Sequence, residues 1–215
     1  MTTMALLIGN KNYSSWSLRP WLALRQSGLE FEEFRVPLRA PDFAERVRAW
    51  SPAGRVPVLR RGHVHVWDSL AICEYLAETF PERTLWPLDS KERALARSIS
   101  AEMHSGFQSL RAQMPMNVRA AGRTVPMTPE LEADVARVRE IWAGCREQAR
   151  SRGPFLFGEF TVADAMYAPV AFRFATYGVK DDYAESLVAQ PAMREWADAA
   201  AAEKETIESY EVGRG

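Results

Sequence analysis

Apolar and polar residues follow two different spacings along this chain, and the spacing changes between residues 80 and 90. Before the change, short apolar runs alternate with turn residues, which is typical of interleaved strands and helices. After it, apolar side chains recur every three or four positions over long stretches, which indicates amphipathic helices. The pattern predicts a small α/β domain followed by an all-α domain.

The first part of the chain divides into short predicted elements. In chain order they are a strand at 5–8, a helix at 18–27, a strand at 31–37, a helix at 42–50, strands at 55–60 and 64–67, and a helix at 68–80. Asp68 is a good N-cap for the last helix, and Pro81 stops it. This order is that of a thioredoxin-like domain, which is a small mixed sheet with helices on both faces.

The second part of the chain is predicted to be helical. A long amphipathic helix is expected at 91–114, where Pro115 ends or kinks it, and a second long helix follows the N-cap Thr128. A further helix is expected at 192–202, and the final dozen residues are expected to form a polar tail.

Weak periodicity and two prolines at 81–89 mark the connection between these parts. The predicted boundaries are therefore 1–83 for the α/β domain, 84–90 for the linker and 91–215 for the helical domain.

Composition narrows the classes of partner. Basic and acidic residues nearly cancel (27 against 28, net charge −1), and no basic run could neutralise several phosphates, so no nucleic-acid partner is expected. No apolar run has the length of a membrane span and the first ten residues do not resemble a signal peptide, so we expect a cytoplasmic protein with no membrane partner. Cys73 and Cys145 fit apolar helix faces, and His63 and His65 lack a third ligand, so no redox pair and no metal site are expected.

Between residues 51 and 80 several polar residues are not needed to form the predicted strands and helix, so they are candidates for ligand binding. Pro57 cannot donate to a sheet ladder, so it is expected at a strand start, an edge or a bend, and a cis Val56-Pro57 bond would place it in such a bend. A bend of this kind leaves backbone groups available to a ligand. The helix that opens at Asp68 and Ser69 has an N-terminus that attracts a carboxylate. The alternative is that Pro57 only shapes a turn and Asp68 only caps a helix.

The run Ser-Pro-Ala-Gly-Arg-Val-Pro-Val-Leu from residue 51 and the run Asp-Ser-Leu-Ala-Ile-Cys-Glu-Tyr-Leu from residue 68 resemble the glutathione-binding half of the glutathione S-transferase family. This resemblance implies glutathione as the co-substrate, and it implies a homodimer. By resemblance, Arg55, Val56 and Pro57 would hold the cysteinyl backbone of glutathione, and Asp68 and Ser69 its γ-glutamyl end. Residues 158–164 also resemble the C-terminal domain of that family, in which a capping box starts the buried central helix.

The serines before the first predicted helix suit the chemistry of a thiolate. A thiol with a pKa near 8.5 is only slightly ionised at neutral pH, and hydroxyl donors at a helix N-terminus stabilise its anion. The run from Ser14 to Leu24 resembles the zeta-class motif of the family, which implies a catalytic Ser14 and an accessory Ser15. Trp16 stands where the zeta pattern has cysteine. Tyr13 is close enough to compete for the sulfur, and the serines could instead serve only as helix caps.

The resemblance further implies that the first long helix of the second domain lines the pocket for the electrophile. The candidate substrate-binding residues are Tyr13, Trp16, His104, Arg111, Met114 and Asn117. A solvated helix face or a dimer contact is the alternative for the helix positions.

The expected function is a glutathione S-transferase that activates the glutathione thiol for attack on, or isomerisation of, a small electrophile, with an isomerase or peroxidase side activity. A non-catalytic module that binds a ligand or a protein is the alternative, since fold alone does not carry function. A reductase is not expected, because residues 14–17 contain no cysteine.

Overall fold

The computed structural model describes residues 3–214, which form a four-stranded mixed sheet with helices on both faces, followed by a helical domain. In chain order the strands and longer helices are β1 (Met4–Ile8), α1 (Ser15–Gln26), β2 (Glu32–Arg35), α2 (Phe43–Arg48), β3 (Val58–Arg61), β4 (Val64–Trp67), α3 (Ser69–Thr79), α4 (Ser90–Ser105), α5 (Gln108–Gln113), α6 (Pro129–Ala149), α7 (Val162–Tyr177), α8 (Asp182–Val188) and α9 (Pro191–Ala201). The predicted fold class is confirmed.

The sheet has the strand order β2-β1-β3-β4, with β1 parallel to β2 and antiparallel to β3. Neighbouring residues of a strand face opposite sides of the sheet. In β1, Leu6 and Ile8 therefore join the large core formed with α1 and α3, whereas Leu7 packs with Val58 and with Val47 of α2. The sheet thus brings the C-terminal end of β1 and the start of β3 to one edge of the domain, where α1 begins.

Helix α7 joins the two domains, because it packs along α1 and its side chains are buried on all sides. Thr161 and Asp164 form the predicted capping box at its N-terminus, with the Thr161 N–H donating to Asp164 Oδ2 at 2.8 Å. The Arg19 Nε of α1 donates to the Met166 carbonyl of α7 at 3.2 Å. The two domains are therefore joined through the packed helices α1 and α7.

The single helix predicted at 91–114 is wrong, because the chain breaks between α4 and α5. Gly106 has an extended backbone, and a Cβ at this position would lie 2.9 Å from the Glu102 carbonyl oxygen, so the absence of a side chain permits the break. Helix α5 restarts with its Leu110 N–H donating to Asp134 of α6 at 2.9 Å. The apolar periodicity continues through the break, so periodicity alone did not indicate it.

The polar tail predicted at the C-terminus is also wrong, because residues 203–214, here called the strap, fold back over the start of α1. The carboxylates of the strap meet arginines from distant parts of the chain: Arg35 donates to Glu205 at 2.8 Å, and Arg123 donates to Glu211 at 2.7 Å. Polar composition suggested a solvated segment, whereas these charges are paired within the fold.

Among residues 3–214, no helix combines the length and the apolar composition of a membrane span, and no three metal-binding side chains converge.

Candidate active site

Ser14 lies where the chain turns from β1 into α1. Its N–H donates to the Asn10 carbonyl at 2.8 Å, and its hydroxyl caps α1 by accepting the Ser17 N–H at 3.4 Å. The helix begins at Ser15, so the start predicted at Leu18 is three residues late: the polar run forms the cap and first turn. Ser14 is 5% exposed and borders the cleft between the domains.

Ser15 and Tyr13 flank Ser14 but differ in what their hydroxyls contact. The Tyr13 hydroxyl donates to Glu211 Oε1 at 2.7 Å and accepts from Arg119 Nη2 at 3.2 Å and from the Ile207 N–H at 3.3 Å. It is therefore committed to the strap. Ser15 borders the same cleft, and its hydroxyl has no hydrogen-bond partner within residues 3–214.

Val56 and Pro57 are joined by a cis peptide bond, as expected. The strand predicted at 55–60 starts later, because β3 begins at Val58, after the bend. Within the described chain neither the N–H nor the C=O of Val56 has a hydrogen-bond partner, although the residue borders the cleft. Arg55 is exposed beside it. This segment therefore offers a free backbone donor and acceptor to a ligand.

Asp68 and Ser69 stand at the N-terminus of α3. Asp68 Oδ1 accepts the N–H groups of Leu70 and Ala71 at 2.9 and 3.2 Å, which confirms it as the N-cap. Its other oxygen, Oδ2, lies 2.7 Å from His104 Nε2 of α4, so a residue of the helical domain reaches the α/β domain at this point. The Ser69 hydroxyl is buried beside the Arg19 guanidinium.

Two adjoining cavities occupy the cleft, and both have Trp16, Arg55 and Val56 in their walls. The Asp68 cavity has a volume of about 540 Å³ and is further bordered by Pro57, Trp67, Asp68, Ser69 and His104. The Arg111 cavity has a volume of about 420 Å³, and its wall includes Tyr13, Ser14, Ser15, Arg111, Arg173 and Tyr210. The structure thus brings the predicted serines, the Val56 bend and the start of α3 around two cavities that share part of their walls.

Three arginines at or behind the cleft have no ion-pair partner among the described residues: Arg111 and Arg173 border the Arg111 cavity, and Arg19 lies buried against Trp16 and Ser69. Burial, reinforced by repulsion from the other two cations, lowers the pKa of Arg19 to about 9. Burial and the repulsion of Arg111 lower the pKa of Arg173 to about 10, and burial lowers the pKa of Arg111. All three remain cationic at neutral pH, so the cleft favours anions.

The Trp16 ring lies between the guanidinium groups of Arg19 and Arg111. The guanidinium carbons of Arg19 and Arg111 lie 4.4 and 4.9 Å from the centre of its ring, and the His104 ring meets it edge-on at 5.2 Å. The indole is 36% exposed, so one part of it faces the cleft. At this position, a cysteine would have offered neither cation a surface to stack on.

Met114 and Asn117, which the sequence predicts in the electrophile pocket, lie inside the helical domain and outside both cavity walls. Met114 is fully buried. The Asn117 amide donates to Glu211 at 2.9 Å and accepts from Asn12 at 2.9 Å, so it fastens the strap.

Sequence reasoning missed Arg173 and the strap residues Ser209 and Tyr210, which border the Arg111 cavity. A signal for Arg173 existed, because it is the one charged residue in the apolar stretch from Met166 to Tyr177. A cation in a buried helix needs a functional or structural reason. No local signal marked Ser209 or Tyr210.

Comparison with known families gives two matches in chain order. The family model of the glutathione S-transferase N-terminal domain matches residues 13–79, and that of the C-terminal domain matches residues 128–199. Maleylacetoacetate isomerase of Rattus norvegicus is 37% identical over 99 residues, which cover 45% of each chain. Glutathione S-transferase Z2 of Arabidopsis thaliana is 28% identical over 170 residues, 74% of each chain. The chain spans about half the length of the first curated relatives that it matches.

Solved structures agree with the fold. A glutathione transferase homolog from Burkholderia gl BGR1, with bound glutathione, aligns with a TM-score of 0.68 at 22% identity over 94% of this chain and 99% of its own. A tau-class glutathione S-transferase from Mangifera indica gives a TM-score of 0.69 at 20% identity over 97% and 96%. Since both domain models of one family match this chain in order, and its fold is that of solved members, the chain belongs to the glutathione S-transferase family.

Proposed function

We propose that this chain is a glutathione transferase that binds glutathione in the Asp68 cavity and presents its thiolate to an electrophile in the Arg111 cavity. The observation that carries the proposal is the pair of adjoining cavities, whose walls bring together the α3 N-terminus, the unpaired backbone of Val56 and residue Ser14. In this order, the three groups match the γ-glutamyl end, the cysteinyl backbone and the thiol of glutathione.

The residues of the Asp68 cavity suit the γ-glutamyl end and the cysteinyl backbone of glutathione. The N-terminus of α3 and the Ser69 hydroxyl favour the γ-glutamyl carboxylate, while the Asp68 carboxylate suits the neighbouring ammonium group. The unpaired N–H and C=O of Val56 suit the cysteinyl backbone, as an added strand would. We therefore assign Arg55 to Pro57 and the pair Asp68 and Ser69 to glutathione.

The thiol end would then meet the N-terminus of α1. A hydroxyl donor from Ser14, the positive end of the helix dipole and the surrounding cations all favour the thiolate over the thiol. The thiolate attacks an electrophilic carbon, and either displaces a leaving group or adds and is later expelled after the carbon skeleton rotates. Ser14 is the catalytic residue of this proposal, and Ser15 is accessory.

The electrophile pocket contains Arg111 and Arg173, so we propose that it takes electrophiles bearing a carboxylate. The relatives named maleylacetoacetate isomerase fit this chemistry, since that compound carries carboxylates. Trp16 would bound the pocket on the side of the glutathione sulfur. The experiment is turnover with glutathione and a panel of electrophiles: maleylacetone and chloroacetate, each against its neutral counterpart, together with an aryl halide, an epoxide and an organic peroxide.

Replacing Arg173 by glutamine is expected to raise the KM for a carboxylate electrophile by roughly 10- to 100-fold, because a charge-assisted hydrogen bond is worth about 1.5–3 kcal/mol. The kcat/KM for the neutral counterpart should change little, which controls for folding. Arg173→Lys keeps the charge and should restore most of the affinity. An equal loss with both electrophiles would contradict the anionic pocket, and glutathione binding without turnover of any electrophile would favour the non-catalytic module.

We also propose a homodimer, through Val64 of the edge strand β4 and Leu95 of α4, two elements that both pack against α3. These apolar side chains are 45% and 41% exposed, and an edge strand invites pairing or cover. Sedimentation equilibrium should give twice the chain mass of 24.3 kDa. The double variant Val64→Lys with Leu95→Glu should sediment as a monomer, whereas Met127→Glu, which alters an equally exposed residue elsewhere, should not. A wild-type mass near 24.3 kDa at micromolar concentration excludes the dimer.

A further inference from the structure

Ser17 is a fully buried residue of the first turn of α1, and its hydroxyl joins Ser14 to the sheet. Ser17 Oγ accepts the Gly9 N–H at 3.1 Å and lies 2.7 Å from Ser14 Oγ. Gly9 follows β1 directly, so the contact ties the helix start to the strand. Neither cavity wall includes Ser17.

The direction of the hydrogen bond between the two serines follows from counting donors and acceptors. A hydroxyl has one proton to donate and two lone pairs to accept with. The Ser17 hydroxyl already accepts from Gly9, and within residues 3–214 the only acceptor near its proton is Ser14 Oγ. If Ser14 donated instead, the Ser17 proton would be buried without a partner, which is costly. Ser17 therefore donates to Ser14.

The Ser14 hydroxyl is then left with a free proton and no free lone pair. Its oxygen accepts from the Ser17 O–H at 2.7 Å and from the Ser17 N–H at 3.4 Å. No other described group accepts this proton, and Ser14 borders the Arg111 cavity, so the proton is available to an acceptor bound in the cleft. We infer that Ser17 is a positioning residue, which orients the Ser14 hydroxyl as a hydrogen-bond donor to the glutathione thiolate; this inference rests on the proposed function.

Gly9 is part of the same arrangement. A Cβ at this position would lie 2.6 Å from Leu38 Cδ2 and 3.2 Å from the Ser14 Cβ. A larger residue would have to displace the Leu38 side chain and would crowd Ser14. Hydrogen bonds thus connect the Gly9 N–H at the end of β1 to the Ser17 hydroxyl, and the Ser17 hydroxyl to Ser14. Ser14 would then contact the glutathione sulfur.

The test is the pH titration of the thiolate absorbance of bound glutathione. Without Ser17, the Ser14 proton is shared among three staggered rotamers, a dilution of about threefold, so Ser17→Ala should raise the bound-thiol pKa by about half a unit or more. Ser100→Ala is the matched control, because Ser100 is also fully buried and its hydroxyl has no partner among the described residues. This control should leave the titration unchanged.

The double variant separates positioning from a general structural effect. If Ser17 acts through Ser14, then Ser17→Ala should add nothing to the titration shift in a Ser14→Ala background. Ser17→Cys keeps a weak donor at the same place, so the pKa of glutathione bound to this variant should lie between the values for wild type and Ser17→Ala. It also carries the test if the alanine variant does not fold.

The outcomes are distinct for the two proposals. An unchanged titration in Ser17→Ala and Ser17→Cys, with glutathione still bound, overturns the positioning role and leaves the proposed function standing. So does a shift of equal size in both the wild-type and the Ser14→Ala background. Failure of the wild-type chain to bind glutathione overturns the proposed function, and the role of Ser17 with it.

Discussion

Replacing Ser14 by alanine is expected to raise the pKa of bound glutathione by about one to two units, because a hydrogen bond to a charged group is worth about 1.5–3 kcal/mol and one unit is about 1.36 kcal/mol. At neutral pH the thiolate fraction, and with it turnover, should fall by roughly 10- to 100-fold. The dissociation constant of glutathione should change far less, since the Val56 and Asp68 contacts remain. Turnover should recover at high pH, where the thiol ionises without help.

The effect on folding has two parts, and the larger is the buried Ser17 hydroxyl, which loses its acceptor at a cost of about 1–3 kcal/mol. Ser14 caps α1 through a long contact of 3.4 Å, so the cap contributes about 0.5–1 kcal/mol, at the low end for this role. Ser15→Ala is the control at the neighbouring position, since its hydroxyl makes no hydrogen bond within residues 3–214. If Ser15→Ala shifts the titration and Ser14→Ala does not, the assignment is off by one residue. If neither does, the thiolate is held by backbone N–H groups.

Asp164→Ala should lower the free energy of unfolding by about 3–5 kcal/mol, which is among the largest single effects expected in this chain. The Asp164 carboxylate is fully buried and accepts from the Leu156 N–H at 2.9 Å, the Thr161 N–H at 2.8 Å, the Thr161 hydroxyl at 3.0 Å and the Tyr183 hydroxyl at 2.7 Å. Alanine would leave these donors buried without a partner. Chemical denaturation measures the loss, and Asp89→Ala, which removes an exposed N-cap, should cost much less.

Asp164→Asn tests the charge of the same group. Burial raises the pKa of Asp164 above its ordinary value of 3.8, and the four donors oppose this only in part. A carboxyl whose pKa is raised by folding contributes its stability at low pH and loses it as pH rises through the raised pKa. The stability of wild type relative to Asp164→Asn should therefore decline as pH rises from 3.8. A difference that grows with pH would show that the four donors outweigh burial.

How much could be predicted from the sequence depended on the distance between interacting residues. The caps Ser14, Asp68 and Thr161 contact N–H groups two or three residues away, so a short window contains the whole signal. The contact of Arg173 with the Met114 carbonyl spans 59 positions, and that of Tyr13 with Glu211 spans 198. Such pairs are set by the packing of helices that a local pattern does not specify.

The structure differs from the sequence-based expectation at two further places, and both have causes that the composition does not reveal. Helix α8, which the sequence pattern did not predict, has only seven residues, and it forms because Asp181 caps it and Tyr183 is anchored on Asp164. The break between α4 and α5 rests on one glycine within a continuous apolar stripe. At both places, a polar contact or a steric feature gave a structure that the apolar periodicity does not predict.

The strap has a consequence for how relatives of this chain can diverge. Residues 203–214 lie beyond both matched stretches, yet Ser209 and Tyr210 form part of the wall of the Arg111 cavity. The strap is fastened by its other members, chiefly Glu205 and Glu211, so substitutions at the two wall positions leave the anchors in place. On the proposed function, substitutions at these two positions would therefore change the electrophiles that a relative accepts while leaving the thiol-binding start of α1 unaltered.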